Sequence, residues 1–334
     1  RALLPRRYRK GERGRDIPHG QVVSPAEVKR RFPAVDEEDL KGGALWHDAC
    51  VPDSQRLLME VLRSACQMGA TALNYMPATE LLEEGGEVTG VRARDTQTET
   101  SYRFRAEVII NAAGPWSPEI ARTFDRVQPE LRGRLSAWNV LIDRAALSGC
   151  AVGAAPPGPG SRNYFLLPWK GRMLLGTGHA PRTGSNVDPN PTGEELTAFL
   201  EKLKAAFPTL NLSLQEVLHV YAGMLPAKQE GTTEQAGRDR WVDHAEQGGP
   251  EGLVSVRGTK FTAARSTADR VLSRLFPRDE RTKWDTSRAH PPPAGELLPR
   301  GVFEPSAALE AEGTAQWESL AELIREEAVV HLDD

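Results

Sequence analysis

The sequence has few of the features that mark membrane-spanning or disulfide-stabilised proteins. Its apolar runs are short, as at Val108–Ile110, whereas a transmembrane helix needs about 20 consecutive apolar residues. Its three cysteines, among 334 residues, are widely spaced and form no CxxC pair. An odd, scattered set of this kind argues against a disulfide framework or a metal site and fits a reducing compartment. The sequence therefore predicts a cytoplasmic chain that binds no metal.

Motifs of several enzyme classes are missing as well. There is no GxSxG nucleophile elbow, no HExxH zinc motif and no P-loop. The glycine-rich GxGxxG turn, which binds the pyrophosphate of a dinucleotide, is also absent. The formal net charge is only −4, and the basic cluster in residues 1–31 contains a single tyrosine, Tyr8, and no nucleic-acid-binding motif. We therefore expect no nucleic-acid partner.

Helical and strand patterns alternate along the chain in a way that predicts an α/β fold. A helix predicted from Asp53 to Met68 carries its apolar residues on one face. Three strand patterns follow, and then the continuously apolar strand Glu107–Asn111, which is typical of a buried parallel strand. Residues 130–245 instead show strands of an antiparallel sheet and one helix capped at Thr192. They predict a second domain.

Small residues directly follow two of the predicted apolar strands. The segment Asn111–Trp116, NAAGPW, follows the first strand, and Gly258–Thr262, GTKFT, follows the strand predicted at 252–256 and opens a helix. Small residues allow the backbone to approach a ligand, and a helix N-terminus favours negative charge. Lys260 adds a full positive charge at that point. An ordinary strand-to-loop turn with a surface lysine would explain the same pattern.

A histidine and a tyrosine lie near strand ends in the second domain. His179 ends the segment GTGH beside two glycines, where its ring could face a pocket and transfer a proton. Tyr221 begins the strand end YAGMLP. A structural or solvated histidine and a core-packing strand remain the alternatives.

Taken together and in this order, these segments resemble the FAD-dependent glycerol-3-phosphate dehydrogenase family, among the flavoproteins related to D-amino-acid oxidase. The matching sequences are GALWHDACVPDSQRL at 43–57, VIINAAGPW at 108–116, YFLLPWKGRMLLGTGH at 164–179, YAGMLPA at 221–227, VSVRGTKFTAAR at 254–265 and IREEAVVHLDD at 324–334. Since a glycine-rich βαβ unit precedes the matching region in that family, we expect this chain to be a fragment that lacks it.

The resemblance implies a domain organisation. A Rossmann-like FAD-binding domain of the glutathione-reductase type would occupy residues 1–129 and 246–276. An antiparallel-sheet substrate domain would occupy residues 130–245. Residues 277–334 would form a linker and the start of a helical domain. The family also suggests a peripheral location on the inner face of the cytoplasmic membrane.

The resemblance further implies FAD as cofactor and the oxidation of glycerol 3-phosphate to dihydroxyacetone phosphate, with a quinone or oxygen accepting the electrons. His179, as the base, and Lys260 would be catalytic. The implied flavin-binding residues are Asn111, Ala112, Ala113, Gly114, Pro115, Trp116, Gly258, Thr259, Lys260, Phe261 and Thr262. The implied substrate-binding residues are Trp46, His47, Asp48, Tyr221 and Arg265.

Two departures from the family pattern leave the substrate open. Leu225 stands where family members carry an arginine that holds the substrate phosphate, and GTGH at 176–179 replaces GTTD. An amino acid, an amine or a 2-hydroxy acid is an alternative substrate, and a carboxylate would require an arginine such as Arg257 or Arg265. A chain that binds no flavin and serves as an interaction module is the alternative of another class.

Overall fold

A computed structural model describes residues 18–276 of the chain, without 49, 52, 118–132, 159, 185–187 and 238. The linker and helical region predicted for 277–334, and most of the basic cluster, lie outside this part. The described residues divide into two compact units. The first contains residues 18–48, 79–92 and 103–271, and the second contains the remainder. The candidate site residues all belong to the first unit.

The helices are α1 (Pro25–Arg31), α2 (Ser54–Gln67), α3 (Gly193–Ala206) and α4 (Ala264–Leu275). The strands are β1 (Gln21–Val23), β2 (Gly43–Leu45), β3 (Ala78–Glu84), β4 (Glu87–Arg94), β5 (Ser101–Arg105), β6 (Ile109–Asn111), β7 (Arg134–Ile142), β8 (Val152–Ala154), β9 (Tyr164–Trp169), β10 (Arg172–Arg182), β11 (Val217–Pro226), β12 (Arg240–Asp243) and β13 (Leu253–Arg257). These alternating helices and strands confirm the predicted α/β class.

The largest sheet is antiparallel, with strand order β11-β7-β10-β9-β8. Helix α3 covers one of its faces, because Phe199, Leu200 and Leu203 are buried against the sheet together with Trp138. The capping box predicted at Thr192 is present, and its Glu195 side chain closes the first turn of the helix. This cluster is the main hydrophobic core of the described residues. It does not cover the opposite face of the sheet.

A smaller sheet has the order β12-β13-β6 and contains the parallel pair that the apolar strands predict. Strand β13 is parallel to β6, with Leu253 opposite Ile109 and Ser255 opposite Asn111. After β13, a single 3-10 turn at Phe261–Ala263 precedes α4, so the α-helix begins two residues later than the predicted start at Thr262. Two further sheets contain the pair β1-β2 and the strands β3-β4-β5.

Helix α2 forms where the periodicity predicts it, with Asp53 as its N-cap. Most of its apolar face is nevertheless exposed: Val61 is 55% and Met68 is 63% accessible. Hydrophobic spacing fixes which side chains share a helix face, but it does not supply the element that would cover that face. None of the helices in the described residues is long and apolar enough to span a membrane.

Candidate functional site

The two glycine-containing turns predicted from the sequence lie side by side. Strands β6 and β13 run parallel, so their carboxyl ends, and the turns that follow them, meet at one edge of the sheet. Asn111 joins them: its Nδ2 donates to the Ser255 hydroxyl at 3.3 Å and to the carbonyl of Ser117 at 3.1 Å. Its Oδ1 accepts from the amide of Ala113 at 3.3 Å. One buried side chain therefore fixes the NAAGPW turn to the neighbouring strand.

A buried histidine completes this network. Nε2 of His244 lies 2.9 Å from the Ser255 hydroxyl, and both residues are buried. Burial lowers the pKa of His244, against an opposing effect of Asp243, so that the ring stays neutral. A neutral imidazole can pair with a hydroxyl without leaving an isolated charge in the interior. His244 and Ser255 escaped the sequence analysis because their pairing depends on β12 lying beside β13.

The GTKFT turn is held by a carboxylate that the sequence pattern does not reveal. Asp239 Oδ1 accepts from the Thr259 amide at 2.7 Å and from its hydroxyl at 2.5 Å, and Oδ2 accepts from the Thr267 hydroxyl. Burial acts to raise the pKa of Asp239, but these hydrogen bonds outweigh it and the pKa is lowered. An ionised Asp239 therefore ties the turn before α4 to the helix itself.

The edge formed by the two turns has the surface that a flavin ring requires. Ile110, Trp116 and Phe261 are exposed by 42%, 57% and 48%, respectively. A Cβ atom added at Gly114 or Gly258 would meet no described atom within 4 Å, so there is open space beside both turns. Exposed apolar groups around open space fit a planar aromatic ligand. The residues present therefore fit the FAD that the resemblance implies.

His179 and Tyr221 share the open face of the five-stranded sheet, opposite α3. Ala137 of β7 pairs with His179 of β10, and Asn139 of the same strand pairs with Tyr221 of β11. Paired residues of antiparallel strands point to the same face, and so do residues two apart on one strand. The Thr177 hydroxyl donates to Asn139 Oδ1 at 3.2 Å on this face. The structure thus places one predicted catalytic and one predicted substrate-binding residue on the same face of the sheet, on strands separated by β7.

An arginine that the sequence analysis did not single out contacts His179. Nη1 of Arg162 donates to His179 Nδ1, and the carbonyl of Thr177 lies 3.1 Å from the same nitrogen. Because a guanidinium only donates, Nδ1 is the accepting nitrogen and Nε2 carries the proton of the neutral ring. Burial and the charge of Arg162 lower the pKa of His179 to about 4.

The segment after β11, residues 227–237, connects the two clusters. The carbonyl of Thr233 accepts from Arg162 Nη2 at 2.8 Å, and Gln235 Nε2 donates to the carbonyl of Thr259 at 2.9 Å. At the start of the segment, the carbonyl of Ala227 accepts from buried Arg257 at 3.1 Å. The same segment therefore reaches the Arg162–His179 pair and the turn that contains Lys260.

The remaining predicted residues are placed less centrally. Trp46 and His47 are exposed after β2, and no hydrogen bond among the described residues links them to the other site residues. Asp48 is exposed beside them, and Arg265 is exposed on the first turn of α4. The described residues contain no group of three side chains able to hold a metal ion.

We expect the ring of His179 to titrate with a midpoint near pH 4, because burial and Arg162 both disfavour its charged form. Substitution Arg162→Ala should raise this midpoint toward the ordinary value of about 6.5. The unfolded chain takes up the proton first, so the free energy of unfolding should decrease as the pH falls from about 6.5 to 4. NMR titration of the imidazole carbons would measure the midpoint, and a wild-type value near 6.5 would contradict the expectation.

Comparison with known proteins identifies the family of the chain. The model of the DAO family, described as FAD dependent oxidoreductase, matches residues 1–274. The chain is 34% identical over 271 residues to glycerol-3-phosphate dehydrogenase 1 of Mycobacterium tuberculosis, which covers 79% of this chain and 49% of that protein. The chain spans about half the length of the curated relatives it matches.

Two solved structures are similar in fold. The glycerol-3-phosphate dehydrogenase from Bacillus halodurans, complexed with FAD, has a TM-score of 0.62 at 25% identity, over 76% of this chain and 48% of that one. The L-proline dehydrogenase from P. horikoshii has a TM-score of 0.54 at 16% identity, over 77% of this chain and 64% of that one. The second likeness concerns the fold alone.

Proposed function

The chain belongs to the DAO family of FAD-dependent oxidoreductases, and from this premise we propose that it contributes the substrate face and part of the flavin site of a glycerol-3-phosphate dehydrogenase. The reaction is the oxidation of the secondary alcohol of glycerol 3-phosphate to the ketone of dihydroxyacetone phosphate. When bound, FAD supplies the acceptor for the hydride that leaves the carbinol carbon. A quinone or oxygen then takes the electrons.

The observation that carries the proposal is the parallel pairing of β6 and β13. It places NAAGPW and GTKFT at one edge, where the Asn111–Ser255 hydrogen bond fixes their spacing. Ligands of open α/β sheets bind at the carboxyl ends of the strands. The name of the Mycobacterium tuberculosis relative, at 34% identity, supports glycerol 3-phosphate as the substrate.

The residues of the chain have distinct roles in this proposal. The backbone of residues 111–116 and 258–262 would hold the cofactor, and Lys260 would direct a positive charge at the site where negative charge develops. His179 accepts the hydroxyl proton of the substrate as general base. Tyr221 and Asn139 line the same sheet face and bind substrate oxygens. Trp46, His47, Asp48 and Arg265 are proposed at the border of the pocket.

A second candidate function is favoured by Leu225. This residue pairs with Leu135, which in turn pairs with Pro181, so that this row of the sheet carries no charge. An enzyme of the same family that oxidises an amine, an amino acid or a 2-hydroxy acid would not need a phosphate-binding group there. Buried Arg257 donates to the carbonyl of Ala227, which leaves exposed Arg265 as the better candidate for a substrate carboxylate.

Anaerobic absorption spectra of the full-length protein test the proposal. We expect a flavin band at about 450 nm that bleaches on addition of glycerol 3-phosphate. Flavin that stays oxidised with glycerol 3-phosphate but bleaches with an amino acid or a 2-hydroxy acid would favour the second candidate. A protein without bound flavin would contradict both and leave an interaction module.

A further inference from the structure

Arg162 has no acidic partner among the described residues, whereas three other arginines around the five-stranded sheet have one. These arginines are Arg144, Arg172 and Arg182, which form ion pairs with Glu216, Asp143 and Glu195, respectively. The partners of Arg162 are instead His179 Nδ1 and the carbonyl of Thr233. Its positive charge is therefore not compensated by an ion pair within the described part of the chain.

The groups of Arg162 and His179 that remain able to form hydrogen bonds with a ligand are all donors. A guanidinium has five N–H groups, and two of those on Arg162 are engaged. His179, with Nδ1 accepting, presents Nε2–H as a further donor. Exposed donors around an uncompensated positive charge are the complement of an oxyanion, which a guanidinium binds with two parallel hydrogen bonds.

We propose that Arg162 recognises the oxyanion group of the substrate and that this contact switches His179 into the tautomer that acts as base. The inference deepens the proposed function and rests on it for the identity of the reaction. It assigns to Arg162 the charge that Leu225 does not provide. Arg162 is a specificity-determining residue in this account, and it acts on the proton transfer through His179.

The switch follows from the two neighbours of His179 Nδ1. Without an anion, Arg162 donates to Nδ1, so Nε2 keeps its proton and cannot accept another. When an oxyanion binds the guanidinium of Arg162, the hydrogen bond from Arg162 to Nδ1 is lost. Nδ1 then gains the ring proton by exchange with water and donates to the carbonyl of Thr177, 3.1 Å away. Nε2 loses its proton in the same exchange, and the net charge of the ring is unchanged.

His179 is then able to act on the substrate. The unprotonated Nε2 accepts the hydroxyl proton and the ring becomes an imidazolium, whose Nδ1–H remains bonded to the Thr177 carbonyl. FAD, when bound, would supply the acceptor for the hydride of the carbinol carbon, so that loss of this hydride and of the hydroxyl proton would leave a ketone. A neutral alcohol that lacks an oxyanion does not release Arg162 and is a poor substrate.

Nitrogen NMR of the His179 ring in the FAD-loaded full-length protein tests the switch directly, because the two tautomers have different ring-nitrogen shifts. Inorganic phosphate and acetate serve as probes for a phosphate and a carboxylate group. We expect one of them to convert the ring from the Nε2–H to the Nδ1–H tautomer, and the anion effective at the lower concentration identifies the group. In Arg162→Ala the ring should be in the Nδ1–H form without any anion.

Turnover gives a second readout that a structural role of Arg162 would not produce. Arg162→Ala should raise the KM for glycerol 3-phosphate by about 10-fold to 100-fold, as expected for the loss of charge-assisted hydrogen bonds. The same variant should oxidise neutral glycerol at least as fast as the wild type, and phosphate should accelerate glycerol oxidation only in the wild type. Arg172→Ala, which removes a cation paired with Asp143 on the same sheet, is the matched control and should respond like the wild type.

The outcomes separate the two proposals. A tautomer that responds to neither anion in the wild type overturns the role of Arg162, even if glycerol 3-phosphate reduces the flavin. An anion response that depends on Arg162, in a protein whose flavin glycerol 3-phosphate leaves oxidised, supports Arg162 and rejects the proposed substrate. Equal KM values for Arg162→Ala and Arg172→Ala would also overturn the inference.

Discussion

Substitution Lys260→Met is expected to lower the rate of flavin reduction by glycerol 3-phosphate by about 10²-fold to 10³-fold, as for the loss of one preorganised electrostatic contact to a reacting centre. Lys260 is exposed directly after the carboxyl end of β13, where it begins the turn before α4. In the proposed function its charge stabilises the negative charge that accumulates during hydride transfer. Stopped-flow absorption under anaerobic conditions would measure the rate.

The reduction potential of the bound flavin provides a readout that does not depend on the substrate. Loss of the positive charge should make this potential more negative, and Lys260→Arg should restore most of the wild-type value. The matched control is Lys202→Met, which removes the same charge from an exposed position on α3. This helix covers the face of the five-stranded sheet that is opposite His179. If Lys260→Met and Lys202→Met had the same potential and the same reduction rate, Lys260 would have no role in the site.

Substitution Asp239→Ala is expected to lower the free energy of unfolding by about 3 kcal/mol, because it removes an ionised acceptor and leaves its buried donors unpaired. The amide and hydroxyl of Thr259 and the hydroxyl of Thr267 lose their partner together. Since Thr259 lies in the GTKFT turn, the variant should also bind FAD more weakly. Urea unfolding and a flavin titration would measure the two effects.

Two further variants make this prediction specific. Asp239→Asn keeps an accepting oxygen for Thr259 and should lose only part of the stability. Asp188→Ala removes an exposed carboxylate that accepts from the backbone of Asn190, and its effect should stay within about 1 kcal/mol. Because the pKa of Asp239 is lowered, its contribution is present above about pH 3.8 and is lost as the pH falls through its lowered value. An Asp239→Ala protein as stable as Asp188→Ala would contradict the role of Asp239.

The elements of the fold were largely predictable because their signals are local. Each signal depends on residues that are only a few positions apart. Examples are the capping residue of α3, the alternation of apolar and polar side chains along a strand, and the apolar runs of β6 and β13. The glycine-containing turns could be found for the same reason, because each directly follows its strand. The class of fold and the positions of these turns therefore follow from the sequence, and the resemblance to a known family predicts their role in binding a flavin.

The partners of the site residues were decided only by the tertiary structure. Asn111 and Ser255 are 144 positions apart, and Asp239 and Thr259 are 20 positions apart. Arg162 and His179 meet because β9 and β10 lie side by side in the sheet. Sequence periodicity records the spacing of side chains along one element, and it contains no information on which element comes next to it in space.

The exposed face of α2 and the unpaired charge of Arg162 are examples of the same limit. The sequence determined that Val61 and Met68 share a face, but only the folded chain shows how much of that face is covered. It also determined that Arg162 is a cation, whereas the absence of an acidic partner among the described residues became visible only in three dimensions. The burial and the pairing of a side chain depend on its neighbours in space, and the chemistry that the side chain can perform depends on both.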